Sequence, residues 1–117
     1  MQSETKSYAE QATTPAGTPV TVLRFAGDIA STSREAVLGL YQAQPKQGPV
    51  LLDFTKVDYI NSSGIALMIQ MLIEASGVGQ RVAVFGLSAH FTKVFTMVGI
   101  TKYATLAASE AEALAAL

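Results

Sequence analysis

Cysteine is absent from the chain, which excludes disulfide frameworks and thiolate metal sites and gives no sign of an oxidising compartment. An excess of positive charge is absent too. Eight Lys and Arg stand against nine Asp and Glu, so no face is expected to carry the basic field that direct nucleic-acid binding needs. Histidine occurs once, as His90, so a Ser-His-acid triad could be assembled in one way only, from Ser62 or Ser63, and no Gly-x-Ser-x-Gly elbow accompanies it. A metal site would rest on that histidine and scattered carboxylates, without ligand spacing. No glycine loop opens a helix: Gly77-Val78-Gly79 follows one, whereas nucleotide motifs precede one. The expectation is a protein without cofactor, metal or catalytic activity.

Long apolar runs are missing as well. The longest, Gly64 to Ile73, is about half of the roughly 20 residues a membrane-spanning helix requires, so membrane insertion is not expected. The start, MQSETKSYAEQ, has neither the basic opening nor the apolar centre of a secretory signal, and a cytoplasmic location is expected. At 117 residues the chain suits one domain, burying roughly two-thirds of its unfolded surface.

What is present alternates between strand and helix signals. Residues 1–18 are polar and small, with a turn at Pro15-Ala16-Gly17, so a first strand over Ser7–Thr13 is expected to be weak or the segment partly disordered. Val20–Phe25 reads as a strand stopping at Gly27-Asp28. Hydroxyl residues at 31–33 precede Ala36, Val37, Leu40 and Tyr41, the spacing of an amphipathic helix that ends near Pro45. Val50–Phe54 is a short apolar run broken only by Asp53, predicting a central strand covered on both faces, and Thr55–Ile60 reads as a loop.

A helix follows Asn61-Ser62-Ser63-Gly64 and runs to about Ala75. Arg81–Phe85 is a second buried strand. Ser88 can cap a helix carrying Phe91, Val94, Phe95 and Val98, with Gly99 at its end and Ile100 placed for the accompanying apolar contact. A last strand near Tyr103–Leu106 and a marginal alanine-rich helix over Ser109–Leu117 complete the series. The pattern predicts an α/β fold: one mixed sheet of four to five strands with about four helices packed on it, in a single domain over residues 1–117.

Helix starts present unpaired N–H groups and a partial positive charge, which suits both capping side chains and phosphate. Asn61 or Ser62 can serve as a plain cap; alternatively one hydroxyl accepts a phosphate. On the helix that follows, Ile65, Met68, Ile69 and Leu72 suffice for a core face. Leu67 and Met71 then lie on a flank, either packed under a neighbouring helix or offered to a partner. His90, Lys93 and Met97 share a face of the next helix away from its core stripe, solvent-facing or in contact with a partner.

The stretch from Leu51 to Leu67, with Asp58, Asn61, Ser62, Ser63 and Gly64 at its centre, resembles the signature of the STAS family: a strand, an acidic loop and an Asp-Ser-Ser/Thr-Gly helix start. Gly27-Asp28-Ile29, Phe91–Ile100 and Ser109–Leu114 resemble further landmarks, so the similarity spans nearly the whole chain from Val20. The resemblance is to the anti-sigma factor antagonist type. It implies that Ser62 is the phosphorylated serine, with Ser63 as second candidate. The implied partner is an anti-sigma factor with serine/threonine kinase activity, opposed by a phosphatase, and Asp28 and Asp58 are expected at the docking surface. A stand-alone STAS scaffold subunit of a lipid-transport or stress-sensing complex is the alternative. Two positions depart from the family pattern: Asn61 replaces the aspartate before the serine, and Ala30 replaces an acidic residue after the Gly-Asp-Ile turn.

Overall fold

In the computed structural model, which describes residues 4–117, apolar side chains alternate along the strands so that each strand feeds two separate cores. Leu23 and Phe25, Val50, Leu52 and Phe54, and Val82 and Val84 face one side; Val20 and Val22, Leu51, and Ala83 and Phe85 face the other. Period-two alternation on a pleated backbone produces this division. The sheet has five strands in the order β1 (Lys6–Thr13), β2 (Pro19–Ile29), β3 (Val50–Ile60), β4 (Val82–Phe85) and β5 (Thr105–Ala107). β1 is antiparallel to β2, and the remaining pairs are parallel.

The larger core lies beneath α1 (Leu40–Gln42) and the turns before it, α2 (Ser62–Gly77) and α3 (Ala89–Met97). The smaller core receives Ala113 and Leu114 of α4 (Glu110–Ala115), which packs chiefly on β3, β4 and β5; Val20 and Val22 of β2 are buried in the same core, while Lys6, Tyr8 and Glu10 of β1 stay exposed. The central, doubly covered strand expected at Val50–Phe54 is β3, and all five of those residues are buried.

Five segments differ from expectation. The weak first strand is an eight-residue strand paired with β2 along its whole length. Its stability comes from a hairpin: Thr14 N–H donates to Thr18 O (2.9 Å), Gly17 N–H to Thr14 O (2.9 Å), and Gly17 turns with φ +90°. Residues 1–3 of the expected weak segment lie outside the described residues. β2 does not stop at Gly27-Asp28, and Thr55–Ile60 is not a loop. The two segments continue as a parallel ladder with Gly27 opposite Val57, Asp28 opposite Tyr59 and Ile29 opposite Ile60. A ladder needs only backbone partners, so exposed polar side chains at Thr55, Lys56, Asp58 and Tyr59 do not interrupt it.

The helix expected before Pro45 is broken up. A 3₁₀ turn at Ser31–Ser33 leads into a π turn at Glu35–Gly39 and then α1, with Val37, Leu38 and Tyr41 buried and Leu40 only partly so. Val98, expected in the core stripe of α3, is exposed because the helix ends at Met97. Gly99 is left-handed (φ +86°) and Ile100 is fully buried, as the helix-end pattern predicts.

Buried polar groups are paired. The Tyr41 hydroxyl donates to Gln80 Oε1 at 2.7 Å, and Gln80 Nε2 donates to Gly48 O at 2.9 Å. Tyr41→Phe leaves Gln80 Oε1 without a donor, which costs about 1–2 kcal/mol and shows as a lower thermal transition at pH 7. Burial, and secondarily the charge of Glu74, raise the Tyr41 phenol above the ordinary tyrosine pKa. The folded state therefore holds this proton while the unfolded chain loses it near pH 10, so the stability is intact below about pH 10 and falls as pH rises further. Tyr41→Phe is expected to flatten that alkaline slope in a pH series of melting curves.

Candidate partner-binding site at the start of α2

Asn61 has extended backbone geometry, and its Oδ1 accepts from Gly64 N–H at 2.9 Å. Its carbonyl accepts from Ile65 N–H (2.9 Å), and its own N–H donates to Ile29 O (3.1 Å). Asn61 is thus the cap, which decides between the two candidates left open by sequence. The consequence falls on its neighbours. Ser62 and Ser63 are both exposed, and their hydroxyls have no hydrogen-bond partner among the described residues. They occupy the first turn of a sixteen-residue helix, where unpaired N–H groups and the helix dipole favour negative charge.

Gly64 sets the height of this helix start. A Cβ there would lie 2.4 Å from Ile29 O and 2.8 Å from Ile60 Cγ2, so α2 begins in direct contact with the ends of β2 and β3. Only hydrogen fits. A second close approach lies alongside, where Gly86 (φ +85°) presses its Cα against Thr55; a Cβ would stand 2.5 Å from Thr55 N.

Between these two glycine contacts, β3 carries two residues more than β2. The register slips once between Arg24 and Ala26 and again between Gly27 and Asp28. Bulges of this kind re-aim side chains at a sheet rim. Here they leave Asp58 and Tyr59 exposed immediately before the α2 cap. The Tyr59 ring packs edge-on to Phe91 of α3 (5.9 Å between centroids), and Phe91 packs against His90 (4.9 Å). Tyr59 therefore joins the rim of the site to α3. Sequence reasoning missed it, although an aromatic placed two residues before a helix cap was a usable signal.

The expected site residues separate into groups. Asn61, Ser62, Ser63 and Gly64 form the start of α2. Asp58 is exposed beside them, and Asp28 is half-buried opposite Tyr59 in the ladder. His90 is linked to this rim through the ring contacts, while Lys93 and the strongly exposed Met97 (81%) lie further along α3. Leu67 and Met71 require correction as partner-binding residues. They are 7% and 1% exposed and belong to the main core, because side chains of the Glu35–Gly39 turn, the sheet and α3 share that core with α2. Ala30 is also buried (4%), and its N–H is held by Ser33 Oγ at 2.8 Å, so this position faces the interior and not a docking partner. Among the described residues no cluster of three or more His, Asp or Glu could hold a metal ion, and no helix is long and apolar enough to cross a membrane.

Residues 13–108 match the family model described as Mlab, STAS domain. The chain belongs to the STAS domain family. No curated protein matches it in sequence. Among solved structures, this STAS domain is similar to an anti-sigma factor antagonist from Mycobacterium paratuberculosis, with a TM-score of 0.75 and 15% identity over 99% of this chain and 97% of the other. It is also similar to the anti-sigma factor antagonist SpoIIAA in its unphosphorylated form (TM-score 0.66, 18% identity, 91% of each chain). The phosphorylated form of the Bacillus cell fate determinant SpoIIAA gives a TM-score of 0.62 at 21% identity, covering 92% of this chain and 96% of that one. These likenesses show a shared fold.

Proposed function

We propose that this STAS domain is a non-enzymatic anti-sigma factor antagonist whose binding is switched off by phosphorylation at Ser62, with Ser63 as the second acceptor. The observation that carries the reading is the division of labour at the start of α2: Asn61 performs the capping, which leaves the Ser62 hydroxyl exposed and uncommitted. Unmodified, the surface formed by the α2 start, Asp58, Asp28, Tyr59 and the outer face of α3 with His90, Lys93 and Met97 engages an anti-sigma factor that is also a serine/threonine kinase. A phosphatase returns the modified protein to the binding state, and the cycle operates in the cytoplasm.

The physical basis of the switch is charge. A phosphoserine adds about −1.5 to −2 charges beside Asp58, at a surface with no basic residue in the first turn of α2, so a bound partner meets repulsion and desolvation cost. The same phosphate is stabilised locally by the helix N-terminus. That this chain's fold is similar to SpoIIAA both in its unphosphorylated form (TM-score 0.66) and in its phosphorylated form (TM-score 0.62) supports the view that such a switch acts on the surface and not on the core.

Ser62→Asp is therefore expected to weaken partner binding by about tenfold or more while shifting the melting temperature little, and Ser62→Ala to bind constitutively. Phosphopeptide mass spectrometry of the tryptic fragment from Val57 to Arg81, on protein isolated from its own cells, tests the acceptor directly. Phosphate on Ser62 supports the switch; a Ser62→Asp variant that unfolds shows the position to be structural. The second reading, a scaffold subunit of a lipid-transport or stress-sensing complex, draws on Asn61, which removes the acid that precedes the serine in the family pattern. Recovery of a transporter ATPase in place of a kinase on immobilised protein would favour it.

A further inference from the structure

One edge of the sheet is short and the other is long. β5 is three residues long, but β1 presents eight residues whose outer backbone groups have no strand beside them among the described residues. Exposed edges of this length are usually broken by short strands, proline, charged side chains or covering elements, and of these β1 has only the charges of Lys6 and Glu10. β1 contains no proline, and α4 lies over β3–β5 on the other half of that face.

The side chains on this edge have a definite order. Lys6, Tyr8 and Glu10 stand opposite Ala26, Arg24 and Val22 in register, so they project from the same face, the one that carries α4, and all three are exposed there. A cavity of about 340 Å³ opens there. Tyr8 is 53% exposed. Lys6 has no acidic partner among the described residues, and Glu10 uses one oxygen, Oε1, toward Arg24 at 3.1 Å. Arg24 does not depend on Glu10 alone, since Asp53 (2.7 Å) and Glu110 (2.8 Å) also accept from it.

We propose that β1 is a self-association edge that pairs antiparallel with β1 of a second copy about a twofold axis at Tyr8. In that register Lys6 lies opposite Glu10 of the other chain and Glu10 opposite its Lys6, while the two Tyr8 rings meet. An isologous contact requires a self-complementary sequence, and Lys6-Ser7-Tyr8-Ala9-Glu10 is one in charge. Backbone hydrogen bonds between the two edges supply the affinity. The charges select the register, because like charges directly opposite are unfavourable in an antiparallel pair. The result is a continuous sheet across two domains. None of the residues at the start of α2 takes part.

Sedimentation equilibrium on the whole chain, up to concentrations on the order of 0.5 mM, tests this. The wild type is expected to be a dimer at the upper end. Lys6→Glu and Glu10→Lys, each alone, place like charges opposite one another twice and are expected to weaken association about tenfold or more. Mixed in equal amounts, the two variants make both contacts complementary again, so a heterodimer is expected at wild-type concentrations. That recovery also shows that both variants are folded. A wild type that stays monomeric throughout, a dimer indifferent to both substitutions, or a mixture that does not reassociate would each overturn the proposal.

Discussion

Replacing Gly64 with alanine is expected to lower the melting temperature by about 4–8 °C and to abolish partner binding, although helix propensity alone argues the opposite. Alanine in place of glycine inside a helix gains up to about 1 kcal/mol. At Gly64 that gain competes with a Cβ placed 2.4 Å from Ile29 O, a backbone atom that cannot rotate away. Overpacking of this kind costs about 1–3 kcal/mol, and relief requires α2 to lift from the ends of β2 and β3. The lift carries Ser62 and Ser63 with it and loosens the Asn61 N–H bond to Ile29 O. Thermal melting and a binding titration, run together, read both effects. A variant as stable as the wild type or more so would show that propensity wins and that the contact is relieved by trivial adjustment.

Loss of Arg24 is expected to be the most damaging change on the opposite face. Its guanidinium joins three elements: Glu10 on β1, Asp53 on β3 and Glu110 of α4. Hydrogen bonding to Glu110 chiefly, then to Asp53 and Glu10, holds the guanidinium protonated beyond its already high ordinary pKa, against the opposing effect of burial. Arg24→Ala would leave three carboxylates facing one another, one of them on the nearly buried Asp53. Breaking a fully buried pair costs about 3–5 kcal/mol; with the Arg24 side chain 21% exposed, solvent screening brings the expected loss to about 2–3 kcal/mol. The melting temperature should fall by roughly 8–12 °C, given about 4 °C per kcal/mol for a domain of this size. Adding Asp53→Asn should recover part of the loss, and hydrogen exchange in α4 should accelerate because its tether to the sheet is gone. An unchanged melting temperature would mean that these ion pairs are surface decoration.

The fold was legible wherever burial imposes a period on the chain. Val50–Phe54 had to be an inner strand because both faces are apolar, and Phe91, Phe95, Gly99 and Ile100 announced a helix and its left-handed end. The motif at 61–64 marked the helix start and its serines. The missed portions share a cause. Along residues 55–60 the bulges break the two-residue alternation, and the exposed side chains are polar, so a well-paired strand has the local pattern of a loop. β1 looked weak because its partner β2, not its own composition, orders it.

Composition and periodicity determined an α/β chain, and the resemblance of the stretch around Asn-Ser-Ser-Gly to the STAS signature pointed to the family and to a hydroxyl-rich helix start. Only the tertiary structure decided that Asn61 and not Ser62 is the cap, that Leu67, Met71 and Ala30 face inward, that Tyr59 ties the site to α3, and that β1 is left as an open edge. Each of these depends on which surfaces meet once distant segments pack, and a one-dimensional pattern records the polarity of a residue but not the identity of what covers it.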